Sequence, residues 1–552
     1  MSTPTASRRE VAGWSIRWDE ALAGEARRQG WWLDLTIGEA ARELAERDPG
    51  RLVVIDGERR LSVGELYSDA VRLAAAMRRD GLQPGDVASF MLPNWHEACC
   101  IYLAASIAGL VVHPLVPAYR RAELSFMLQD CGSKIIFVAG KFRGFDYVGL
   151  MGEVSADLPT APKVVVLRDD PGPFCAYPDY LESGAPDTTL APVDPDSVRM
   201  VLYTSGTTGR PKGVLHTHNT INADIAQIHR YWNNGGEARY LVASPVSHIG
   251  GSLYAFELPL LCGASAVLLD NWDAETAVRL IDQHGCTHTA GATPFLEQIL
   301  AASKTAGTRL ESLKVFICGG ASVPPSLVRE ATSWFANCAV SRVYGSTEVP
   351  TVTIGSLAAG DLDHAAETDG RVGVAQVKLA AASAPGQEGE IFARGPQMLV
   401  GYLRPEDEQG AFDEDGFFNM GDLGRLVDGD YIVISGRTKE LIIRNGENIS
   451  PKEVEDILIL HPDILEVAVV GLPSEKTGEL ACAFIVPRPG AQPSVQAVAE
   501  YLAKKGVAKF KFPERVVLQE TLARNATGKV LKAILRSELL AGEERSRVQM
   551  NL

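Results

Sequence analysis

Short, largely apolar runs rich in Val and Ile recur along the chain at 134–139, 163–167, 199–203, 264–269 and 313–318. Longer stretches with helical spacing lie between them. Unbroken apolar runs, rather than strict alternation, are what strands buried on both faces require. The pattern predicts an α/β fold with buried, largely parallel strands. The longest apolar run, 98–112, stops at His113 and Pro114. It falls short of the roughly 20 residues of a membrane-spanning helix and predicts a buried core helix instead. A Pro/Gly/Asp-rich stretch over 169–196 predicts a surface connection, and no repeat of solenoid period is visible.

After about residue 436 the texture changes. The segment 450–460, SPKEVEDILIL, predicts a helix capped by Ser450, with Pro451 at its first position and Glu453 placed for a capping box. Strand-like runs follow at 466–471 and 481–486, then a basic tract. This predicts a small α+β domain over 436–552 behind a large domain over 1–435, joined at 435–440. A chain of 552 residues is too long for one core, since single domains stop growing at about 250–300 residues.

A hydrophobic content of 46% with 22% charged residues excludes wholesale disorder. The 53 basic against 69 acidic residues give a net charge of −16, which argues against a general nucleic-acid or anionic-membrane binder. A small anion in a locally positive cleft remains open. The first twenty residues carry charges but no apolar core, so no secretory leader is expected. Nine cysteines without a CxxC pair, Cys99 and Cys100 being adjacent, fit reduced, buried thiols and a cytoplasmic location. His216 and His218 are spaced as alternate residues of a strand and have no further ligand in register, which argues against zinc.

The most informative segment is 204–213, TSGTTGRPKG, directly after an apolar strand. Gly206, Gly209 and Gly213 let backbone amides approach an anion, Thr204, Ser205, Thr207 and Thr208 offer hydroxyls, and Lys212 adds charge. Such a loop can cradle a polyphosphate. It is not a Walker A loop, because Pro211 and Gly213 flank Lys212 and no Ser or Thr follows it.

Together with YGSTE (344–348), Gly421–Asp422, GRTKELIIRNGENISPKEVE (436–455) and TGK (527–529), this loop resembles the adenylate-forming (ANL) superfamily of acyl- and aryl-CoA synthetases, luciferases and peptide-synthetase adenylation domains. GATPF (291–295), FICGG (316–320) and VAKFKFPE (507–514) resemble short- and medium-chain acyl-CoA synthetases and cyclohexanecarboxylate-CoA ligases more narrowly. The resemblance implies the adenylating-enzyme fold, with a mobile C-terminal cap, and a two-step reaction. A carboxylate attacks the α-phosphate of Mg-ATP to give acyl-AMP and pyrophosphate, and CoA then displaces AMP. It implies ATP and CoA as co-substrates and Mg²⁺ as the metal. In-line phosphoryl chemistry asks the protein chiefly for positioning and charge neutralisation.

By the same resemblance Thr204, Ser205, Gly206, Thr207, Thr208, Gly209 and Lys212 hold the β- and γ-phosphates. Tyr344 stacks on adenine, with Gly345 and Ser346 beside it, Thr347 meets the α-phosphate and Glu348 ligates Mg²⁺. Asp422 and Arg437 bind the ribose, and Lys529 neutralises the acid and the α-phosphate. Lys439 is the hinge on which the small domain turns. Gly446 and Glu447 line the thiol channel, and Lys509, Lys511 and Arg515 are candidates for the CoA phosphates, because Phe512 and Glu514 stand where some relatives are basic. PVSHIGG (245–251) borders the acid: His248 gates the pocket or donates to the carboxylate, Gly250 and Gly251 leave room, and Gly291, Thr293, Gly319, Gly320 and Ala321 form other walls. Amino-acid adenylation domains carry an Asp in this region, whereas here no Asp lies between Ser244 and Leu261 and Glu257 is the one carboxylate, so an uncharged acyl or aryl tail is favoured.

The leading reading is an acid–CoA ligase for a medium-chain, alicyclic or aromatic acid. Transfer to a carrier protein, a catalytically weak nucleotide or acyl binder, and a luciferase-type oxygenase stay open. Partners are then small molecules, without nucleic acid or integral membrane segment, and a homodimer is compatible.

Overall fold

The computed structural model describes residues 6–184, 192–204, 210–320, 322–382, 386–474, 476–524 and 530–550, with side chains to residue 541. Ser205, Gly206, Thr207, Thr208, Gly209, Ala321 and Lys529 therefore lie outside the described residues.

Two seven-stranded sheets form the large domain. In the first, strands run in the order Cys175–Ala176, Lys163–Leu167, Ser133–Ala139, Val87–Met91, Val111–Pro114, Val198–Thr204 and Lys212–Thr217. All pairings are parallel except the last, an antiparallel hairpin. The second has the order Ala339–Val343, Val315–Gly319, His288–Gly291, Arg239–Val242, Ser265–Leu268, Leu52–Asp56 and Arg59–Ser62, again parallel up to a terminal hairpin. The helix His96–Ile107 is buried at every position from Ala98 onward. One apolar cluster takes in that helix together with Phe90 and Val138 of one sheet and Val53 and Tyr240 of the other. This double coverage is why the strands read as unbroken apolar runs. A four-stranded antiparallel sheet follows, over Gln376–Ala380, Gly389–Arg394, Phe418–Val427 and Tyr431–Arg437. Burial alternates along its second and third strands, as it must when one face only is covered.

The smaller C-terminal domain holds a five-stranded sheet built on the long pair Ile464–Ser474 and Gly478–Pro487. Ile442–Arg444 and Glu447–Ile449 extend one side, and Arg515–Leu518 pairs in parallel with Gly478–Pro487. The helices Pro451–Leu458 and Val495–Lys504 cover it, and Val454, Leu458, Val498 and Leu502 pack on Val469 and Ile485.

Four expectations need correction. The 98–112 run is not one helix: Gly109 takes φ +72°, the helix ends at Ile107, and Val111–Pro114 joins the sheet. His216 and His218 do not share a strand, because Thr217 caps a helix beginning at His218 by accepting from Thr220 N at 3.2 Å. Ser450 caps its helix, accepting from Glu453 N at 3.4 Å, but the capping box does not close. The Glu453 carboxylate takes Lys511 Nζ at 2.6 and 2.7 Å instead. Finally, the 169–196 connection contains the short helix Tyr177–Glu182. The nine cysteines are free thiols, seven of them buried, and no described helix is long and apolar enough to cross a membrane.

Candidate active site

Thr204 ends one strand, and its antiparallel register partner Lys212 begins the next. Lys212 Nζ donates to the Asp407 carbonyl at 3.1 Å, lies 3.9 Å from its carboxylate and stands 5.1 Å over the Tyr402 ring. Arg210 reaches the same carboxylate at 3.0 Å. The Thr204 hydroxyl donates to Glu348 Oε1 at 3.4 Å, and the Tyr402 hydroxyl to the same oxygen at 3.1 Å. Both contacts fall on Oε1, and Oε2 accepts no hydrogen bond among the described residues.

The segment from Tyr344 to Glu348 is held along its backbone. Tyr344 N donates to Thr353 Oγ1 at 2.7 Å, His216 Nε2 to the Thr347 carbonyl at 2.7 Å, Val349 N to Ser346 Oγ at 3.1 Å, and Leu399 N to the Glu348 carbonyl at 2.7 Å. A Cβ at Gly345 would fall 2.6 Å from Thr351 N, so only glycine fits that turn. The Tyr344 hydroxyl donates to Asp422 Oδ2 at 2.6 Å, and Arg437, opposite Asp422 in the sheet register, donates to Oδ1 at 3.1 Å. Asp422 is only 7% exposed. Burial and the Asp422 charge together push the Tyr344 hydroxyl well above its ordinary pKa.

The 248–262 segment is a broken helix: Ile249–Ser252, a π-helical turn over Leu253–Glu257, then Leu258–Cys262. Asn94 pins its entry, donating to the carbonyls of Val242, Ser244 and Leu269 at 3.0–3.1 Å and accepting from Val246 N at 2.9 Å. A Cβ on Gly251 would fall 2.0 Å from the Pro245 carbonyl oxygen, whereas one on Gly250 would sit 3.8 Å from His248 Nδ1 and 4.0 Å from Tyr254 Cε2. Gly251 is thus required by packing, while Gly250 leaves usable space. His248 is solvent-exposed, yet protein surrounds it closely enough for desolvation to lower its pKa, as for a residue lining an open cleft. Gly291 faces the Phe295 ring, which packs on Trp272 with centroids 4.2 Å apart. Thr293 Oγ1 donates to the Ser322 carbonyl at 2.8 Å. Gly319 lies close to the Val343 carbonyl, and Gly320 takes φ +79° in open space. Glu257 is fully buried and engaged by Arg199 and Tyr102, so it is not available to a substrate ammonium.

On the small domain Lys439 and Glu447 are exposed, and Gly446 takes φ +83° in open space. Lys509 is exposed, whereas Lys511 is spent on Glu453 within its own domain. The structure therefore brings Thr204 and Glu348 into one hydrogen-bonded contact, with Lys212 opposite Thr204 in the strand register, and Tyr344, Asp422 and Arg437 into another, the two joined by the 344–348 backbone; Lys509 and Lys511 belong to neither. Tyr402, Asp407 and Asn94 were missed by sequence reasoning. The Gly401–Tyr402 step, with φ +121° at the glycine, is the only local signal among them.

Among the described residues one set of three metal-type ligands converges, Asp56, His96 and Glu97. The Arg168 guanidinium bonds Asp56 at 2.5 Å and Glu97 at 2.7 Å, which makes this an ion cluster. Glu348 supplies a single carboxylate. That suits Mg²⁺ arriving with phosphate oxygens, the usual setting for this ion, and not a site made wholly of protein.

A hydroxyl-and-lysine hairpin, a carboxylate beside it and a Tyr–Asp–Arg group on a two-domain α/β scaffold define a nucleotide-using enzyme. The chain belongs to the AMP-binding enzyme family, whose model matches residues 41–403, with the AMP-binding enzyme C-terminal domain over 453–529. Within it the chain falls in the acyl-CoA synthetase branch of the adenylate-forming enzymes. It is 34% identical to the medium-chain fatty-acid–CoA ligase of Escherichia coli (strain K12), covering 95% of this chain and 94% of that protein. It is 32% identical to the salicyl-AMP ligase / salicyl-S-ArCP synthetase of Mycobacterium tuberculosis, covering 93% of each. The ATP-bound crystal structure of MatB from Rhodopseudomonas palustris superposes with a TM-score of 0.81 at 27% identity, covering 91% of this chain and 99% of that one. The enzyme is an AMP-forming acid–thiol ligase.

Proposed function

We propose that the protein activates a carboxylic acid with an uncharged medium-chain, alicyclic or aromatic tail as its acyl-AMP and passes the acyl group to CoA, in the cytoplasm. The observation that carries this reading is the continuity of 344–348. At one end Tyr344 is hydrogen-bonded to the Asp422–Arg437 pair, and at the other Glu348 meets Thr204 of the phosphate hairpin. A nucleotide laid along this series has its ribose at Asp422 and Arg437 and its phosphates at Thr204 and Lys212.

Asp422, already accepting from two donors, presents a buried anionic acceptor to the ribose hydroxyls. Lys212 exchanges its Asp407 partner for phosphate oxygens. Glu348, with the phosphates, would hold Mg²⁺, which would supply charge neutralisation and a Lewis acid. Lys529 neutralises the acid and the α-phosphate. His248 and the space at Gly250 receive the acid, and the sequestered Glu257 leaves nothing for an ammonium in that segment. We place the domain boundary at 435/436 and the turning point at 436–440, where Lys439 moves the 444–450 loop toward the thiol.

A carrier protein as acyl acceptor is the second reading, favoured by the likeness to the salicyl-AMP ligase. A panel of short, long, alicyclic and aromatic acids, scored for AMP release with and without CoA, separates the two. CoA-dependent turnover with at least one acid supports the ligase reading. Acyl-AMP formation that CoA never accelerates refutes it.

A further inference from the structure

Arg199 lies on the strand Val198–Thr204, five residues before the hydroxyl that meets Glu348. Glu257 closes the π-helical turn that continues from Gly250 and Gly251. The two side chains meet in the core: Arg199 Nη2 donates to the Glu257 carboxylate and, at 2.6 Å, to the Tyr102 hydroxyl, which itself donates to Glu257. The guanidinium stands 4.9 Å over the Tyr102 ring, and all three residues are fully buried.

This arrangement is a poor stability device. The desolvation of two buried ions offsets their attraction unless the remaining donors and acceptors are satisfied. Here Arg199 Nε and Nη1 and Glu257 Oε2 have no protein partner among the described residues. An apolar trio of similar volume would hold the same elements together at no such cost. What it would lack is direction: a guanidinium–carboxylate contact fixes one geometry, while an apolar contact lets surfaces slide. Single π-helical turns of this kind concentrate at functional segments.

We propose that Arg199 and Glu257 form a positioning pair that sets the acid-binding segment in register with the phosphate hairpin. The inference rests on the adenylating reading above. One partner's strand carries the phosphate end of the nucleotide, and the other's helix carries the pocket for the attacking carboxylate. A misplacement of about 1 Å between reacting groups costs on the order of 100-fold in rate, so an ion pair with no net stability value can still be worth keeping.

The test compares the full-length wild type with the double variant Arg199→Met/Glu257→Leu, by thermal unfolding and by acid-dependent exchange of labelled pyrophosphate into ATP. The expected result is an unfolding midpoint equal to or above wild type. The exchange kcat should fall about tenfold or more, with KM for ATP within about twofold, the pattern of lost alignment without lost nucleotide binding. A folded double variant with wild-type kcat overturns the proposal, as does a loss confined to KM for ATP. Should the double variant fail to fold, Glu257→Gln keeps the shape and removes the charge; it should melt below wild type, because Arg199 is left buried without its counter-ion, and show the same fall in exchange kcat with KM for ATP within about twofold. Wild-type kcat in folded Glu257→Gln, or failure of both variants to fold, overturns it. Exchange that is absent from the wild type with every acid overturns the adenylating reading instead, and the inference with it.

Discussion

Replacing Asp422 by Asn keeps the size and one carbonyl acceptor of the side chain but removes its charge. In the structure the carboxylate is 7% exposed and accepts from Tyr344 and Arg437. With nucleotide bound it would accept from the ribose as well. Hydrogen bonds to a charged group are worth about 1.5–3 kcal/mol each. The Asn amide also turns a donor toward Arg437, so loss of the ribose contact plus this mismatch should cost about 3 kcal/mol. At 1.36 kcal/mol per tenfold, that is on the order of 150-fold in kcat/KM for ATP. Stability should change far less. The Arg437 side chain is 46% exposed, and an ion pair open to solvent on one side contributes about 0–1 kcal/mol. The assay is pyrophosphate exchange against varied ATP at saturating acid, with thermal unfolding as the control. If folded Asp422→Asn keeps kcat/KM for ATP within about threefold of wild type, or loses affinity for the acid alone, the placement of the ribose is wrong.

Gly250→Ala should be neutral or stabilising by up to about 1 kcal/mol while raising KM for bulky acids. Gly251→Ala, whose Cβ meets a backbone carbonyl, should destabilise by about 2–3 kcal/mol; equal behaviour of the two in melts and acid panels refutes the assignment of space to Gly250. Asp224 is fully buried, and desolvation pushes its carboxyl from 3.8 up to about 6. The folded state therefore holds this proton when the unfolded chain has released it, and stability falls as pH rises from about 4 through 6, by about 3 kcal/mol in all. Asp224→Asn should match wild type near pH 4 and exceed it by up to that amount at pH 7.5 in denaturant melts, and an unchanged pH profile contradicts this. Lys439→Pro fixes φ at the hinge and should slow thioester formation from supplied acyl-AMP more than adenylation; equal loss in both steps removes the hinge assignment.

What the chain reveals locally, it reveals well. The buried strands were readable because each is apolar on both faces, and the cap at Ser450 because its partner is three residues away. The pairing of Thr204 with Lys212 follows from a hairpin a few residues long. Contacts closed across the chain left no such trace. Asp407 occupies Lys212 from 195 positions away, Asn94 pins Val246 from 152 away, and Arg199 finds Glu257 from 58 away. The capping box at Glu453 failed for the same reason, since the sequence offers its carboxylate both Ser450 and a distant lysine, and folding brings Lys511 within reach. His218 was misplaced because the Thr217 cap, which starts a helix there, competes with a simple alternation of histidines.

The most direct measurement is the exchange of labelled pyrophosphate into ATP by the purified protein with Mg²⁺, across the acid panel. Exchange that requires a carboxylic acid with an uncharged tail, with hydroxylamine trapping the same acid as its hydroxamate, is the predicted result. No exchange with any acid, or exchange that proceeds without one, would contradict the account.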